Sequence, residues 1–486
     1  MAEFDTRRVF DRRRPWDDLE KQVVRRHLAH RDTVPDKLVD AIRYVISLAR
    51  LTTVRNEQGE DVDVDDITGP YAAGLFRRLS AEIENARDLW DVVRHLPEFV
   101  QDARVVRGRI LAERPIGRDR LEREITTRHL VVATGGGGGA GYVYIGAYAM
   151  LDRHDLVPSL LVGTSIGALT AVFRSRRRHF DLAPVVAATK ELAWGDVLRV
   201  LEVEARYGLP ATLRMYLRSA LGRLFLREDG SPLALSDLEI PTYVIATGIT
   251  VDALKHDLDY YEHFLDQDVG GRTSTRARLR GITRTAGILR EFLARPDALV
   301  EMVLGQTPGT EDFDAMDAVG FSAAVPGVLH YDVLRDDDRM RRLLDDLYAS
   351  YGITRLGEGG LVSNVPARAG WKGAVRGDLD VRQPFVLALD CFAPNPRRPL
   401  WLPVQQLVRS GNVDRDRLYA DLYLPMPKTL SPLNVVPALR DAMNATEWGR
   451  EALSPHMPFI KEMVRPIAIL DDEHPVVDGA VGDDEE

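Results

Sequence analysis

LVVATGGGGGAGYVYIGAYAML, residues 130–151, and LVGTSIGAL, residues 161–169, decide how this chain folds. Two apolar runs, 130–134 and 160–162, each end abruptly in glycine, and each glycine segment opens a small-residue pattern of helical period. That is the signature of two consecutive strand-turn-helix units. The first turn is Gly135 to Gly139 followed by Gly141, where backbone amides can converge because no side chain obstructs them. The second is Gly163-Thr164-Ser165-Ile166-Gly167, a G-x-S-x-G pattern. At a strand-to-helix turn, this pattern exposes a serine at the carboxyl edge of the sheet and aims a helix N-terminus at any negative charge formed there.

A serine hydroxyl becomes a nucleophile only when a base accepts its proton, and acyl transfer also needs donors aimed at the oxyanion. The candidate donors are the amides of Gly136, Gly137, Gly138 and Gly139, together with the amide of Ile166 just after Ser165. Losing one such donor costs about 3 kcal/mol of barrier in acyl-transfer enzymes. Gly136, Gly138 and Gly141 also satisfy G-x-G-x-x-G, a nucleotide-binding alternative. A dinucleotide fold, however, ends its second strand near an acidic residue that binds ribose. Here that strand ends in Gly163-Thr164-Ser165, and no G-K-[ST] is present, which excludes a P-loop.

The 486 residues are 45% hydrophobic, enough for a large core with additions. The net charge of -10 argues against nucleic acid as a partner. A single cysteine, Cys391, excludes an intrachain disulfide and fits a reducing, cytoplasmic setting. The N-terminal MAEFDTRRVFDRRRPW has no apolar core of a secretory signal. The uncharged windows 130–151 and 156–173 are read as buried strand plus helix, because glycine runs and Pro158 suit no membrane helix.

Residues 1–125 read as a charged helical region. Pro15 is expected at a helix start, and helical faces are expected after Pro35 and Pro70. From residue 126 to about 395, β-rich runs alternate with helical segments as a parallel sheet requires. Further strands are expected at Pro241–Ile249 and Pro384–Phe392. A polar stretch over 250–315 is a candidate lid insertion, 396–470 a helical C-terminal extension, and 471–486 an acidic tail with too little apolar content to pack.

With these residues in place, about residues 128–392 resemble the patatin-like phospholipase family. Four blocks carry the resemblance, in the family's order. They are Gly136 to Gly141 (GGGGAG), Gly163 to Gly167 (GTSIG), Phe321 to Gly327 (FSAAVPG) and Glu358 to Pro366 (EGGLVSNVP). The resemblance implies a three-layer α/β/α fold with a mostly parallel sheet, here with an added helical N-terminal region. It also implies hydrolysis of phospholipid or other lipid acyl esters by a serine-carboxylate dyad, with no metal and no organic cofactor. Ser165 takes the place of the nucleophile, and Glu358 stands where the family has aspartate. Glutamate adds a methylene, and a 1 Å misplacement can cost about a hundredfold in rate. Ala140, moreover, replaces a basic residue common in the oxyanion loop. The alternative is therefore a patatin-like protein without strong catalysis that binds lipid or a protein partner.

A histidine could complete an ordinary triad, and His456 and His474 follow Glu358 in the required order. Both lie outside the matched stretch, and His330 would need a different acid. The run Leu209 to Arg227 reads as a basic amphipathic helix, suited to covering the sheet or to peripheral contact with anionic lipid. Arg174 to Arg178 reads as a headgroup-attracting cluster or as the charged end of the helix after Ser165. Nothing in the sequence sets the oligomeric state.

Overall fold

The computed structural model describes residues 5–30, 34–86, 89–200, 206–209, 211–250, 296–334, 336–396 and 401–470. The chain divides into two compact units, one of residues 1–130, 372–385 and 456–486, the other of residues 131–371 and 386–455. The boundaries expected from the sequence shift accordingly. The helical N-terminal unit recruits a central segment and the chain's last helix, and most of the expected C-terminal extension belongs to the unit carrying the serine.

In the first unit, helices Thr6–Ala29, Asp36–Ala49, Asp65–Asn85 and Leu96–Glu113 surround a core that includes Trp16, Ile42, Leu75 and Phe99. Each fully buried side chain of this size stabilises by about 1.5–3 kcal/mol. One expected helix start is corrected. Asp5 caps the first helix by accepting from the amides of Arg7 and Arg8, so Pro15 lies inside it. The third helix starts at Asp65, with Pro70 likewise inside. Strands β1 (Thr53–Arg55) and β2 (Asp61–Asp63) form a small antiparallel ribbon.

The second unit is built on β3 (His129–Thr134), β4 (Leu160–Thr164), β7 (Thr242–Thr250), β8 (Leu299–Leu304), β10 (Ile353–Glu358), β11 (Pro384–Asp390) and β12 (Leu422–Pro425). These make one seven-stranded sheet in the order β10-β7-β4-β3-β11-β12, with β8 also on β7. The β3–β4, β4–β7 and β11–β12 pairs are parallel, and β8 and β10 run antiparallel to β7. Helices flank the sheet in a three-layer α/β/α arrangement, as expected. The end of the candidate lid insertion is sheet, since β8 pairs with β7 along residues 299–304. Residues 251–295 of that insertion and the acidic tail lie outside the described residues.

A smaller sheet consists of β5 (Leu198–Val200), β6 (Ala211–Met215) and β9 (Gly327–His330). It corrects the amphipathic helix expected over 209–227. That stretch is strand β6 followed by a helix of five residues, Leu217–Leu221. Leu213 pairs with Leu329 on one side and Val200 on the other, so pairing overrides helical spacing.

Candidate active site

Strand β4 is buried along its whole length and stops at Thr164, whose hydroxyl donates to the Ser363 carbonyl at 2.8 Å. Ser165 then takes φ 56°, ψ −123°, a left-handed conformation that among the described non-glycine residues only Asp155 also shows in the sign of φ. Such a residue costs on the order of 1–3 kcal/mol and persists only where its surroundings hold it. They do so here. The Ser165 amide donates to Ser322 Oγ at 2.8 Å, and its carbonyl accepts from the Leu169 amide at 3.1 Å. Gly163 and Gly167 let strand and helix close on each other, for a Cβ on Gly163 would sit 2.5 Å from Ala168 Cα. The helix Ile166–Ser175 thus starts directly at the serine, whose side chain is 6% exposed as a residue.

The register of β7 brings the acid to the same place. Thr164 pairs with Ile245, and Glu358 pairs with Ala246. Because Val244 and Ile245 pair with β4 while also pairing with β8, and Ala246 to Ile249 pair with β10 while also pairing with β8, β4 and β10 share one edge of β7. One runs parallel to β7 and the other antiparallel, so they meet head-on at their carboxyl ends. β10 cannot continue past Glu358, since β4 already occupies the next position, and the chain leaves through the 3-10 turn Gly359–Leu361.

The remaining two sequence blocks act as clamps on this junction. From FSAAVPG, Ser322 Oγ holds the Ser165 amide, and the Ala324 carbonyl accepts from the Glu358 amide at 3.0 Å. From EGGLVSNVP, the Ser363 carbonyl holds Thr164, and the Asn364 carbonyl accepts from the Gly136 amide at 3.0 Å. Ser322, Ala324 and Asn364 were not among the expected site residues. Their blocks were visible, but hydrogen bonds to a backbone 157 residues away leave no trace in spacing.

The glycine loop enters from β3. A Cβ on Gly136 would lie 3.2 Å from Ser165 Cβ, 3.5 Å from Glu358 Oε1 and 2.8 Å from Asn364 Oδ1, which puts this backbone at the centre of the group. Gly137 and Gly138 have φ 154° and 55°, and a Cβ on Gly137 would stand 2.7 Å from Cys391 Sγ. Of the expected donors, two are already engaged: the Gly136 amide with Asn364 O, and the Gly139 amide with Pro432 O at 2.9 Å. Among the described residues, the Gly137 and Gly138 amides meet no backbone carbonyl. The Ile166 amide, first in its helix, has no intrahelical acceptor. Ala140 is fully buried beneath the loop.

Burial dominates the electrostatics of the acid. Loss of hydration pushes the Glu358 carboxyl up to about 8, against the partial pull of the Gly360 amide and the Ser165 hydroxyl. Oε1 accepts from the Gly360 amide at 3.3 Å. Oε2 is buried and, among the described residues, has no hydrogen-bond partner. Serine and acid are thus neighbours, close enough for the hydroxyl to pull on the carboxyl, and catalytic hydrogen bonds are often long or poorly aligned before substrate binds.

No described histidine joins them. His330 is buried and held neutral chiefly by loss of hydration, with Nδ1 2.8 Å from the Leu209 carbonyl. His456 belongs to the first unit, and His474 lies outside the described residues. The basic run after Ser165 is turned inward at its start. Arg174 is buried and donates to the Arg177 and Arg178 carbonyls, holding the turn that follows its own helix. Arg218 is caged by Asp314, Asp317 and Asp337, and its guanidinium fills the space where these carboxylates converge.

Residues 132–371 match the family model described as patatin-like phospholipase. No curated protein matches the chain.

Proposed function

Because residues 132–371 belong to the patatin-like phospholipase family, we propose that this protein is a lipid acyl hydrolase working through a serine-carboxylate dyad. Ser165 Oγ attacks the acyl carbonyl while Glu358 takes its proton. The tetrahedral oxyanion is held by the amides of Gly137, Gly138 and Ile166, with Gly136 and Gly139 shaping the loop through their own carbonyl bonds. Glu358 returns the proton to the leaving alkoxide, which gives an acyl-Ser165 ester. The same carboxylate then activates water to release the fatty acid. The observation that carries this reading is the head-on meeting of β4 and β10 on β7, which sets a strained serine beside a buried acid with an unpartnered oxygen.

The substrate is a phospholipid or another acyl-ester lipid, reached by peripheral contact from the cytoplasm. Among the described residues, no helix is long and apolar enough to cross a membrane. Turnover of p-nitrophenyl acyl esters by the full chain, compared with Ser165→Ala and Glu358→Gln, tests the proposal. It expects both variants to lose at least a hundredfold, and an unchanged Ser165→Ala rate refutes it.

A second reading draws on the protonated state of the acid. With its carboxyl pushed to about 8, Glu358 is largely neutral at pH 7. On this reading the fold binds lipid or a protein partner without turning ester over. Lipid retention by the full chain with no ester turnover between pH 7 and 9.5 would select it.

A further inference from the structure

The turn that follows Glu358 is held from one side by a single short segment outside the family-matched residues. Residues 409–413 form one π-helical turn, a form often found at functional sites, and the chain continues as helix through Asp416. Asn412 is buried there. Its Nδ2 donates to the Gly360 carbonyl at 2.9 Å and to the Leu361 carbonyl at 3.3 Å, while its Oδ1 accepts from the Asn364 amide at 2.9 Å. Arg415 donates to the Val362 carbonyl at 2.7 Å, and Asp416 accepts from the Ser363 hydroxyl. Every residue from Gly360 to Asn364 is therefore bonded by a side chain of this one segment.

What those residues do next gives the contact its meaning. The Gly360 amide donates to Glu358 Oε1, and the Asn364 carbonyl fixes the Gly136 amide at the root of the glycine loop. A single carboxamide with two donors and an acceptor spans both ends of the turn. Aspartate would keep the acceptor and lose the donors, and a hydrophobic side chain would lose both.

We propose that Asn412 is a positioning residue for the Glu358 carboxylate and the glycine loop, supported by Arg415 and Asp416. The segment 409–416 is then part of the catalytic unit. This rests on the reading of Ser165 and Glu358 as a hydrolytic dyad.

The test uses the full chain and four proteins: wild type, Asn412→Ala, Asn412→Asp and Arg415→Ala. Reactive serine is titrated with a fluorophosphonate, and p-nitrophenyl ester turnover is expressed per titrated serine, so that unfolded molecules drop out. Misplacement on the ångström scale costs up to about a hundredfold. The expected kcat loss is therefore about tenfold to a hundredfold for Asn412→Ala and about tenfold for Asn412→Asp, with KM within twofold. Arg415→Ala, which loses one bond to the turn and one to Asp416, costs a smaller kcat loss of about threefold to tenfold. The rising limb of the pH profile moves to higher pH in Asn412→Ala. Full kcat per titrated serine in Asn412→Asp, with an unmoved pH profile, overturns the proposal even where Asn412→Ala does not fold. A wild-type chain with no titratable serine removes the dyad reading and the proposal with it.

Discussion

Glu358 and Thr164 take adjacent register positions, opposite Ala246 and Ile245, on the same edge of one strand. The residue after Thr164 is Ser165, so the pairing of β7 alone brings serine and acid together across 193 residues of chain. The backbone on the acid's side is pinned twice, through the Glu358 amide to Ala324 O and through Thr247 Oγ1 to the Glu358 carbonyl at 2.7 Å.

That pinning sets the outcome of shortening the acid. In Glu358→Asp the strand cannot slide forward to restore reach, and the carboxylate withdraws by about one carbon-carbon bond. The expected result is a drop in kcat of about ten- to a hundredfold with KM little changed. Steady-state kinetics on a soluble ester checks it.

The raised acid predicts a pH dependence of rate. A base must be ionised to accept the serine proton, and burial holds Glu358 protonated until about pH 8. kcat/KM should rise between pH 6.5 and 9 along one ionisation, reporting the free enzyme. A flat profile over that range contradicts the assignment of Glu358 as base.

The same shift has a stability consequence of opposite sense. In the folded chain the group holds its proton up to about 8, against an ordinary value of 4.5, so the native state binds more protons than the unfolded state between those limits. Its contribution is fully present below about pH 4.5 and is lost as pH rises through about 8. Glu358→Gln carries no such charge. Its melting temperature relative to wild type should therefore climb from pH 5 to about pH 8 and level off above it, as scanning calorimetry would register.

Ser322 predicts a coupled effect on stability and rate. Ser322→Ala leaves the buried Ser165 amide without its acceptor, at a cost of about 1–3 kcal/mol. The strained turn that amide anchors should relax, lowering kcat by about tenfold. Calorimetry and kinetics on the same preparation measure both.

Arg218 separates packing from lipid docking. Removing it leaves Asp314, Asp317 and Asp337 facing one another, two of them fully buried, and breaking a buried pair costs roughly 3–5 kcal/mol. Arg218→Ala should melt well below wild type, whereas a docking role would leave stability intact and weaken retention on anionic vesicles.

What the sequence disclosed follows from how local each signal is. The strand end at Thr134, the turn at Ser165 and the order of four blocks are written in contiguous residues. The stretch 209–227 misled because its leucines repeat at helical spacing, while β6 owes its form to pairing with β5 and with β9, a strand distant in sequence. Gly136 and Gly139 could not be told from Gly137 and Gly138 as donors, since only the folded chain brings Asn364 and Pro432 to take the first and last amides. Asn412 gave no signal, being one polar residue in a segment without a motif.

The most direct measurement is covalent titration of the full chain with a fluorophosphonate at pH 9, followed by peptide mapping and ester turnover. One adduct per chain is expected, on Ser165, with activity lost in proportion and no adduct in Ser165→Ala. Turnover that survives in Ser165→Ala, or an adduct that maps to another residue, would contradict it.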